Sequence, residues 1–174
     1  METLDFSAYL RRLTSDLLKT YNMKNKSINL KLELEYIYLG MDTAVSMGII
    51  VNELVSNSLK HAFPANTKGD IYVRLSKFYE EKEDRICCFE EDDFSKKNST
   101  EKENIINHKI NGNSQFLLII ADNGKGIPEN FDIRDPDSLG LQLVNLLIEQ
   151  IDGYIALNRN SGTEFRIIFK NQEK

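Results

Sequence analysis

The sequence predicts an α+β fold, a two-layer α/β sandwich in which helices cover one face of a mixed sheet. Residues 28–34 and 69–78 alternate apolar and polar side chains, as half-buried strands do. Residues 115–121 form an almost continuous apolar run, which indicates a strand buried on both faces. Residues 5–22 and 139–151 carry apolar side chains at spacings of three and four, as amphipathic helices do.

Capping and breaking residues set the limits of the helices. Asp5 can cap the first helix, and Asp42, after a break at Gly40, can cap a central helix. Pro64 ends that central helix, because the residue before a proline is pushed out of the helical region. Gly153 is a natural stop for the last helix.

Further segments complete the predicted sheet. Residues 85–89 are a candidate strand, and residues 153–159 and 163–170 form a hairpin around a glycine-containing turn. Residues 90–114 contain few apolar side chains and many Glu, Asp, Lys, Asn and Ser. This composition predicts a long, mobile insertion within the region 77–114.

Composition and charge exclude several classes of function. At 174 residues the chain has the size of one domain, and its net charge of −5 argues against general nucleic-acid binding. No apolar run reaches the ~20 residues of a membrane span, and the first residues do not resemble a signal peptide. The adjacent Cys87 and Cys88 would point to opposite faces of a strand, which makes a poor metal site and favours a reduced, cytoplasmic compartment. No P-loop, dinucleotide-binding or G-x-S-x-G motif is present.

The central helix, residues 48–64 (GIIVNELVSNSLKHAFP), carries a polar stripe on an otherwise apolar surface. Glu53, Asn57 and Lys60 recur at i, i+4 and i+7 and would share one face, with His61 beside them. Each of these groups needs a hydrogen-bond partner or a ligand. Mg²⁺ with a phosphate would satisfy them, because oxygen atoms suit Mg²⁺ and an ammonium suits phosphate. A solvated helix face explains the same stripe equally well.

The segment DNGKGIP, residues 122–128, follows the most apolar strand. Asp122 at the end of that strand is a single directed acceptor, and Gly124 and Gly126 let the backbone approach a flat ligand. This combination suits an adenine ring, whose exocyclic amine needs an acceptor. A plain Asn-Gly turn is the alternative, although an irregular loop and not a second strand follows.

Two further glycine segments have simple explanations of their own. Residues 138–141 (SLGL) open the last helix, where free N–H groups favour phosphate, but Ser138 can equally be a plain helix cap. Gly162 and Thr163 are explained by a hairpin turn.

Four segments resemble, in their order along the chain, the N, G1, G2 and G3 boxes of the GHKL ATPases: NELVSNSLKHAF, DNGKGIP, SLGLQLV and SGTEF. That superfamily includes gyrase, heat-shock chaperones, mismatch-repair proteins and sensor histidine kinases. Within it the sequence looks like the sensor histidine kinases of the second HisKA subgroup, which are related to the HWE kinases. The resemblance covers residues 5–174, apart from the insertion at 77–114.

The resemblance implies a Bergerat ATP-binding fold whose phosphate end is held by the central helix. Asn57 would bind Mg²⁺, and Glu53 would orient or deprotonate the attacking group or help to hold the metal. Lys60 and His61 would contact phosphates. The segment that would cover the phosphates consists of Ser138, Leu139, Gly140 and Leu141.

The resemblance also implies an adenine end of the site. Asp122 would accept a hydrogen bond from the adenine amine, and Thr163 would support Asp122. The residues that would shape the pocket are Gly124, Gly126 and Ile127.

The implied function is that of the ATP-binding catalytic domain of a two-component sensor histidine kinase, which transfers the γ-phosphoryl group of ATP to a histidine. His61 lies within the N box and His108 within the insertion, so the acceptor histidine is expected outside this chain. Residues 1–24 would be the end of the connection from a dimerisation region, and residues 25–174 the ATPase domain. Expected partners are a histidine-containing dimerisation domain, upstream or in trans, and a downstream response regulator, with no nucleic-acid or membrane contact.

A nucleotide-gated interaction module, or an anti-sigma-like partner-binding protein without histidine phosphorylation, is the alternative. The presence of Glu53 as a potential base favours the kinase. An ATP hydrolase of the gyrase or chaperone kind is disfavoured, because the further domains that those proteins need are not in this sequence.

Overall fold

The structure, a computed structural model, describes residues 2–21, 27–65, 67–78, 115–159 and 161–171. In this part of the chain a five-stranded mixed sheet carries the α-helices on one face, and a two-stranded ribbon lies beside the first two helices. This two-layer α/β sandwich confirms the predicted fold class. The elements are, in chain order, β1 Thr3–Asp5, α1 Phe6–Tyr21, β2 Ser27–Leu34, β3 Tyr38–Gly40, α2 Met41–Asn57, a π-helical turn Ser58–Ala62, β4 Lys68–Phe78, β5 Gln115–Asp122, α3 Leu139–Gln150, β6 Tyr154–Asn158 and β7 Thr163–Lys170.

The strand order in the large sheet is β2-β4-β5-β7-β6. β2 and β4 run parallel, and the other neighbouring strands run antiparallel. At one end of the β4–β5 pair, Phe78 lies opposite Gln115, so the chain positions that flank residues 79–114 are neighbours in the sheet. The strand predicted at 85–89 and the insertion predicted at 90–114 lie outside the described residues.

The core lies between the helices and the inner face of the sheet. Ile71, Val73 and Leu75 of β4 are buried there, as the alternation of this strand predicts. Burial also alternates on β5, where Leu118 and Ile120 are buried and the residues beside them on the outer face are half-buried. The prediction that β5 is buried on both faces is therefore met in full on the inner face only, because the described helices cover one face of the sheet and the other face is half-buried.

α1 begins at Phe6 after a side-chain cap and packs closely on α2. Oδ1 of Asp5 accepts a hydrogen bond from the N–H of Ala8 at 3.0 Å, which confirms the predicted cap. The ring of Tyr9 lies over Gly48 of α2, where a Cβ atom would come within 2.8 Å of the tyrosine hydroxyl oxygen. Gly48 therefore permits the close approach of the two helices.

The start of α2 differs from the prediction. Gly40, and not Asp42, is the N-cap residue, and it has no side-chain cap; Asp42 lies in the first turn. The physical reason is the ribbon, in which Gly40 pairs with Thr3 and so fixes where the helix can begin. The N–H of Gly40 donates a hydrogen bond to Oδ1 of Asn171 at 2.9 Å.

The central helix ends in a π-helical turn, Ser58–Ala62, where the sequence predicts a continuous α-helix up to Pro64. In a π turn each hydrogen bond spans five residues, and such turns are frequent at functional sites. The N–H of Ser58 is shared between the carbonyl oxygens of Leu54 and Val55. The wider turn changes the direction in which the side chains after it point.

α3 begins and ends where its sequence signals predict. The hydroxyl of Ser138 accepts a hydrogen bond from the N–H of Leu141 at 3.4 Å, and the N–H of Gly153 donates to the carbonyl of Ile148 at 2.9 Å. In the hairpin turn before β7, Gly162 has a φ of 132°, a conformation that favours glycine. None of the described helices has the length and apolar composition needed to span a membrane.

Candidate functional site

Four segments that are distant in the sequence meet at one end of the sheet. β5 ends at Asp122, which pairs with Thr163 at the start of β7. Asp122 also accepts a hydrogen bond from Ser58 in the π-helical turn. On the central helix, Oε2 of Glu53 would lie 2.5 Å from a Cβ atom at Gly140, at the start of α3. The structure therefore brings together the four glycine and helix segments that the sequence singles out.

The Asp122 carboxylate lies at the centre of this arrangement and is buried, with only 6% of the residue exposed. Its Oδ2 accepts a hydrogen bond from Oγ of Ser58 at 2.7 Å, and its Oδ1 accepts one from the N–H of Gly124 at 3.0 Å. Among the described residues no cationic side chain forms an ion pair with it. Each carboxylate oxygen has two acceptor positions, so both can accept one further donor.

Glycines keep the backbone segments around Asp122 close to one another. A Cβ atom at Gly124 would lie 2.5 Å from the carbonyl oxygen of Ala62, and one at Gly162 would lie 1.9 Å from that of Asp122. Gly126 has a φ of 76° and lies beside the backbone of Gly162. Larger residues do not fit at Gly124 and Gly162, because neighbouring backbone fills the space that a Cβ atom would take, so the glycines keep this corner closely packed around Asp122.

Glu53 and Asn57 lie one turn apart on α2, and both are half-buried. Nδ2 of Asn52 lies 3.4 Å from Oε1 of Glu53. Within the described part of the chain the Asn57 side chain has no hydrogen-bond partner. Two side chains with oxygen atoms on one helix face thus remain available to a ligand.

Lys60 and His61 lie in the π-helical turn with exposed side chains. Nζ of Lys60 is 5.3 Å from the centre of the Tyr21 ring, at the end of α1, which is a cation–π distance. The expectation that Lys60 shares one face with Glu53 and Asn57 assumes α-helical spacing, and the π turn interrupts that spacing.

The remaining predicted site residues divide between the core and the surface. Leu141 is buried in the core, and Ile127 is partly buried against that core. Leu139, in contrast, is 82% exposed. Ser138 is the N-cap of α3. Thr163 is buried, and its hydroxyl has no hydrogen-bond partner among the residues that the structure describes.

The loop between Asp122 and α3 is fastened at several points. Nδ2 of Asn145 in α3 donates to the carbonyl of Ile133 at 2.7 Å, and Nη2 of Arg159 donates to the carbonyl of Phe131 at 2.5 Å. These bonds hold the loop to α3 and to the end of β6.

Asp70 of β4 holds the residue that follows Asp122. Its N–H donates to Oδ1 of Asn123 at 2.8 Å, and its own carboxylate accepts from Nδ2 of Asn29 at 3.1 Å. The hydrogen bond from the Asn29 amide, and to a smaller extent the Lys31 ammonium, lower the pKa of Asp70 below its ordinary value of 3.8. Asp70 is therefore ionised at neutral pH, and its contacts tie the glycine loop to the sheet.

Ser58 is a site residue that the sequence did not reveal. An α-helical projection turns it away from the face that carries Glu53 and Asn57, so periodicity gives no reason to include it. Its partner, Asp122, is 64 positions away along the chain. The sequence shows a hydroxyl next to Asn57, but only the folded structure shows that this hydroxyl bonds to Asp122.

Known proteins resemble this chain in sequence. The family described as "Histidine kinase-, DNA gyrase B-, and HSP90-like ATPase" matches residues 43–173. Sensor histidine kinase PdtaS of Mycobacterium tuberculosis (strain ATCC 25618 / H37Rv) is 25% identical over 131 residues, which are 72% of this chain and 19% of that protein. Blue-light-activated histidine kinase 2 of Erythrobacter litoralis (strain HTCC2594) is 20% identical over 156 residues, which are 90% of this chain and 35% of that protein. The chain thus spans only a minor part of the length of these relatives.

Solved structures show the same fold. The histidine kinase domain of the Erythrobacter litoralis EL346 blue-light activated histidine kinase matches with a TM-score of 0.70 and 21% identity, over 97% of this chain and 62% of that chain. The nucleotide-free catalytic domain of histidine kinase ThkA matches with a TM-score of 0.64 and 14% identity, over 98% of this chain and 97% of that chain. The family match over residues 43–173 covers most of the chain, and the chain therefore belongs to the histidine kinase-, DNA gyrase B- and HSP90-like ATPases.

Proposed function

We propose that this chain binds ATP together with Mg²⁺ and transfers the γ-phosphoryl group to a histidine that lies outside it. The observation that carries the proposal is the meeting of four segments: Ser58 and Thr163 lie against the buried Asp122, and Gly140 lies against Glu53, one helical turn before Asn57. The division into a connecting segment, residues 1–24, and an ATPase domain, residues 25–174, is part of the same proposal.

Asp122 is the residue that recognises adenine. The carboxylate has free acceptor positions and is buried, so a donor that reaches it gains a hydrogen bond to a charged group. The exocyclic amine of adenine is such a donor. Gly124 and Gly126 form the loop beside Asp122 that the ring would approach, Ile127 adds an apolar side, and the Thr163 hydroxyl lies buried beside the strand end.

The residues present fit a Mg²⁺ ion that arrives with the nucleotide. No group of three or more His, Cys, Asp or Glu side chains in the described residues could hold a metal by itself. Mg²⁺ is commonly bound by one or two protein groups together with substrate phosphates, and Asn57 and Glu53 supply two such groups one helical turn apart. When bound, the ion would neutralise charge that develops on the phosphate oxygens.

The remaining phosphate contacts come from flexible and backbone groups. Lys60, released from Tyr21, and His61 lie close enough in sequence to Asn57 to reach phosphates. The backbone N–H groups of Leu139 and Gly140, which open α3 after Ser138, form the other side of the phosphate site, while the Leu141 N–H donates to the Ser138 hydroxyl.

Phosphoryl transfer needs positioning and charge neutralisation more than covalent chemistry by the protein. A nitrogen of the acceptor imidazole attacks the γ-phosphorus, the bond from that phosphorus to the β–γ bridging oxygen breaks, and ADP leaves. Glu53 accepts the proton that the imidazole loses, or orients the ring for attack. The acceptor would lie in a dimerisation domain, upstream or in trans, a response regulator would receive the phosphoryl group afterwards, and the proposed compartment is the cytoplasm.

The test of nucleotide binding is calorimetric titration with ATP and GTP, each with and without Mg²⁺. We expect ATP to bind and GTP to bind far more weakly. Asp122→Asn should raise the Kd for ATP roughly ten- to a hundredfold, because a charge-assisted hydrogen bond is lost. Asn57→Ala should abolish the effect of Mg²⁺ on the Kd. The control is Asp16→Asn, an exposed carboxylate on α1. An unchanged Kd in Asp122→Asn would contradict the adenine assignment.

Phosphoryl transfer is tested by adding an acceptor domain with its histidine and following label from γ-³²P ATP. Glu53→Gln should lose transfer while it retains ATP binding. Transfer at the wild-type rate in Glu53→Gln would exclude the base role. ATP binding by the wild type without transfer to any supplied acceptor would instead support a nucleotide-gated interaction module.

A further inference from the structure

Ser58 contributes a hydroxyl that the proposed phosphoryl transfer does not use. It is 6% exposed, and its Oγ donates to Oδ2 of the equally buried Asp122 at 2.7 Å. We propose that Ser58 is a positioning residue that fixes the Asp122 carboxylate for the exocyclic amine of adenine and so determines the preference for a 6-aminopurine. This inference rests on the proposed ATP binding and goes beyond it by assigning part of the selectivity to a residue that does not contact the base.

The hydroxyl of Ser58 is aimed differently from those of the neighbouring serines. Oγ of Ser46 donates to the carbonyl of Asp42, and Oγ of Ser56 donates to that of Glu53, so both bond within their own helix. Ser58 alone of these three bonds to a residue on the sheet. It is the first residue of the π-helical turn and still has helical backbone angles, and from this position its side chain reaches the end of β5.

Two donors fix the carboxylate from two different layers. The Gly124 N–H holds Oδ1 from the loop, and the Ser58 hydroxyl holds Oδ2 from the helix layer. A carboxylate held at both oxygens cannot rotate freely about its Cβ–Cγ bond, so the remaining acceptor positions point in fixed directions. No cation pairs with Asp122 among the described residues, so these neutral donors are what offset its burial.

Removal of the Ser58 hydroxyl has a selective consequence. It frees the carboxylate to turn and leaves one buried oxygen without its donor. A ligand that donates to Asp122 loses an oriented acceptor, whereas a ligand without the amine loses nothing specific. The variant should therefore discriminate less between adenine and a purine that has hydrogen at position 6.

The experiment compares ATP with purine riboside triphosphate, which lacks the exocyclic amine, by calorimetric titration of the whole chain. In Ser58→Ala the Kd for ATP should rise roughly tenfold, the effect of one buried hydrogen bond. The Kd for purine riboside triphosphate should change by less than about twofold, because this nucleotide has no amine to donate to Asp122. Ser58→Cys, which keeps the volume and weakens the donor, should show the same selective loss and serves if Ser58→Ala fails to fold. Ser58→Thr, which restores the hydroxyl, should recover selectivity.

The matched control is Ser56→Ala, because Ser56 is also buried on the central helix but bonds only to its own backbone. It should leave the ratio of the two dissociation constants unchanged. Equal weakening of both nucleotides in Ser58→Ala and Ser58→Cys would show a merely structural role and overturn the inference. Wild-type ATP affinity in both Ser58 variants, with loss in Asp122→Asn, would overturn the inference and leave the proposed function intact. Absence of ATP binding by the wild type would overturn both.

Discussion

At the scale of single residues, the glycines of the site differ in what lies beside them. A Cβ atom at Gly140 would lie 2.5 Å from Oε2 of Glu53, the free end of a side chain that can rotate away. A Cβ atom at Gly124 would lie 2.5 Å from the backbone oxygen of Ala62, which already accepts a hydrogen bond from the N–H of Lys125. The same substitution therefore displaces a functional group in one case and strains the backbone in the other.

We expect Gly140→Ala to fold with a free energy of unfolding within about 1 kcal/mol of the wild type. It should slow phosphoryl transfer roughly tenfold, because Glu53 is displaced from its position. Gly124→Ala should instead lose about 1–3 kcal/mol of stability, since the backbone must move to admit the methyl group. Urea unfolding and the transfer assay measure the two effects. A similar loss of stability in both variants would show that the Glu53 side chain cannot rotate away from the added methyl group.

Individual site residues could be predicted where a polar side chain interrupts an apolar pattern. Asp122 at the end of an apolar strand, and Glu53 and Asn57 on an apolar helix, stand out in this way, and the central helix reaches the end of that strand through Ser58. Ser58 does not stand out, because a serine is common on any helix. The prediction that Asp42 caps α2 is wrong, because the pairing of Gly40 with Thr3, and not the cap propensity of Asp42, decides where the helix begins.

At the scale of elements, long periodic segments were predictable and short ones were not. The alternation of β2 and β4 and the helical spacing of α1 and α3 identify these elements, with limits that differ by one or two residues. β1 and β3 have three residues each, which is too short for alternation to show. The π-helical turn is equally hidden, because five residues of i to i+5 bonding leave no distinct period in the sequence.

The β4–β5 pairing makes the segment between these strands replaceable. Phe78 and Gln115 are opposite partners at the end of the pair, so a two-residue turn can join them. We expect a chain in which Asn-Gly replaces residues 79–114 to keep the fold and the Kd for ATP. Circular dichroism, urea unfolding and calorimetric titration check this result.

A matched control places the same Asn-Gly in place of residues 75–118, which removes inward-facing core residues of both strands, and it should not fold. Loss of folding in the first variant would contradict the expectation and show that residues 79–114 contribute to the stability of the domain.

At the scale of the whole molecule, the site exists only when the chain is folded, because its parts come from α2, β5, α3 and β7. A ligand that binds only the folded state stabilises it by mass action. We expect ATP with Mg²⁺ at a hundred times the Kd to raise the free energy of unfolding by about 2.7 kcal/mol. Urea unfolding at several ATP concentrations measures this increase.

The same ATP concentration should stabilise Asp122→Asn much less, because its Kd is higher. Asp16→Asn, which changes an exposed carboxylate on α1, should gain as much as the wild type. Equal stabilisation of all three proteins would mean that ATP binds elsewhere on the molecule.

The contacts of Gly40 have a further consequence for the way this domain joins its neighbours. Thr3 pairs with Gly40, and Asn171 accepts a hydrogen bond from the Gly40 N–H, so positions near both ends of the described chain lie at the foot of α2. Asn57 lies at the opposite end of this 17-residue helix, about 25 Å away. The domain can therefore be grafted into a host polypeptide as a cassette that is entered and left at the end of α2 opposite Asn57.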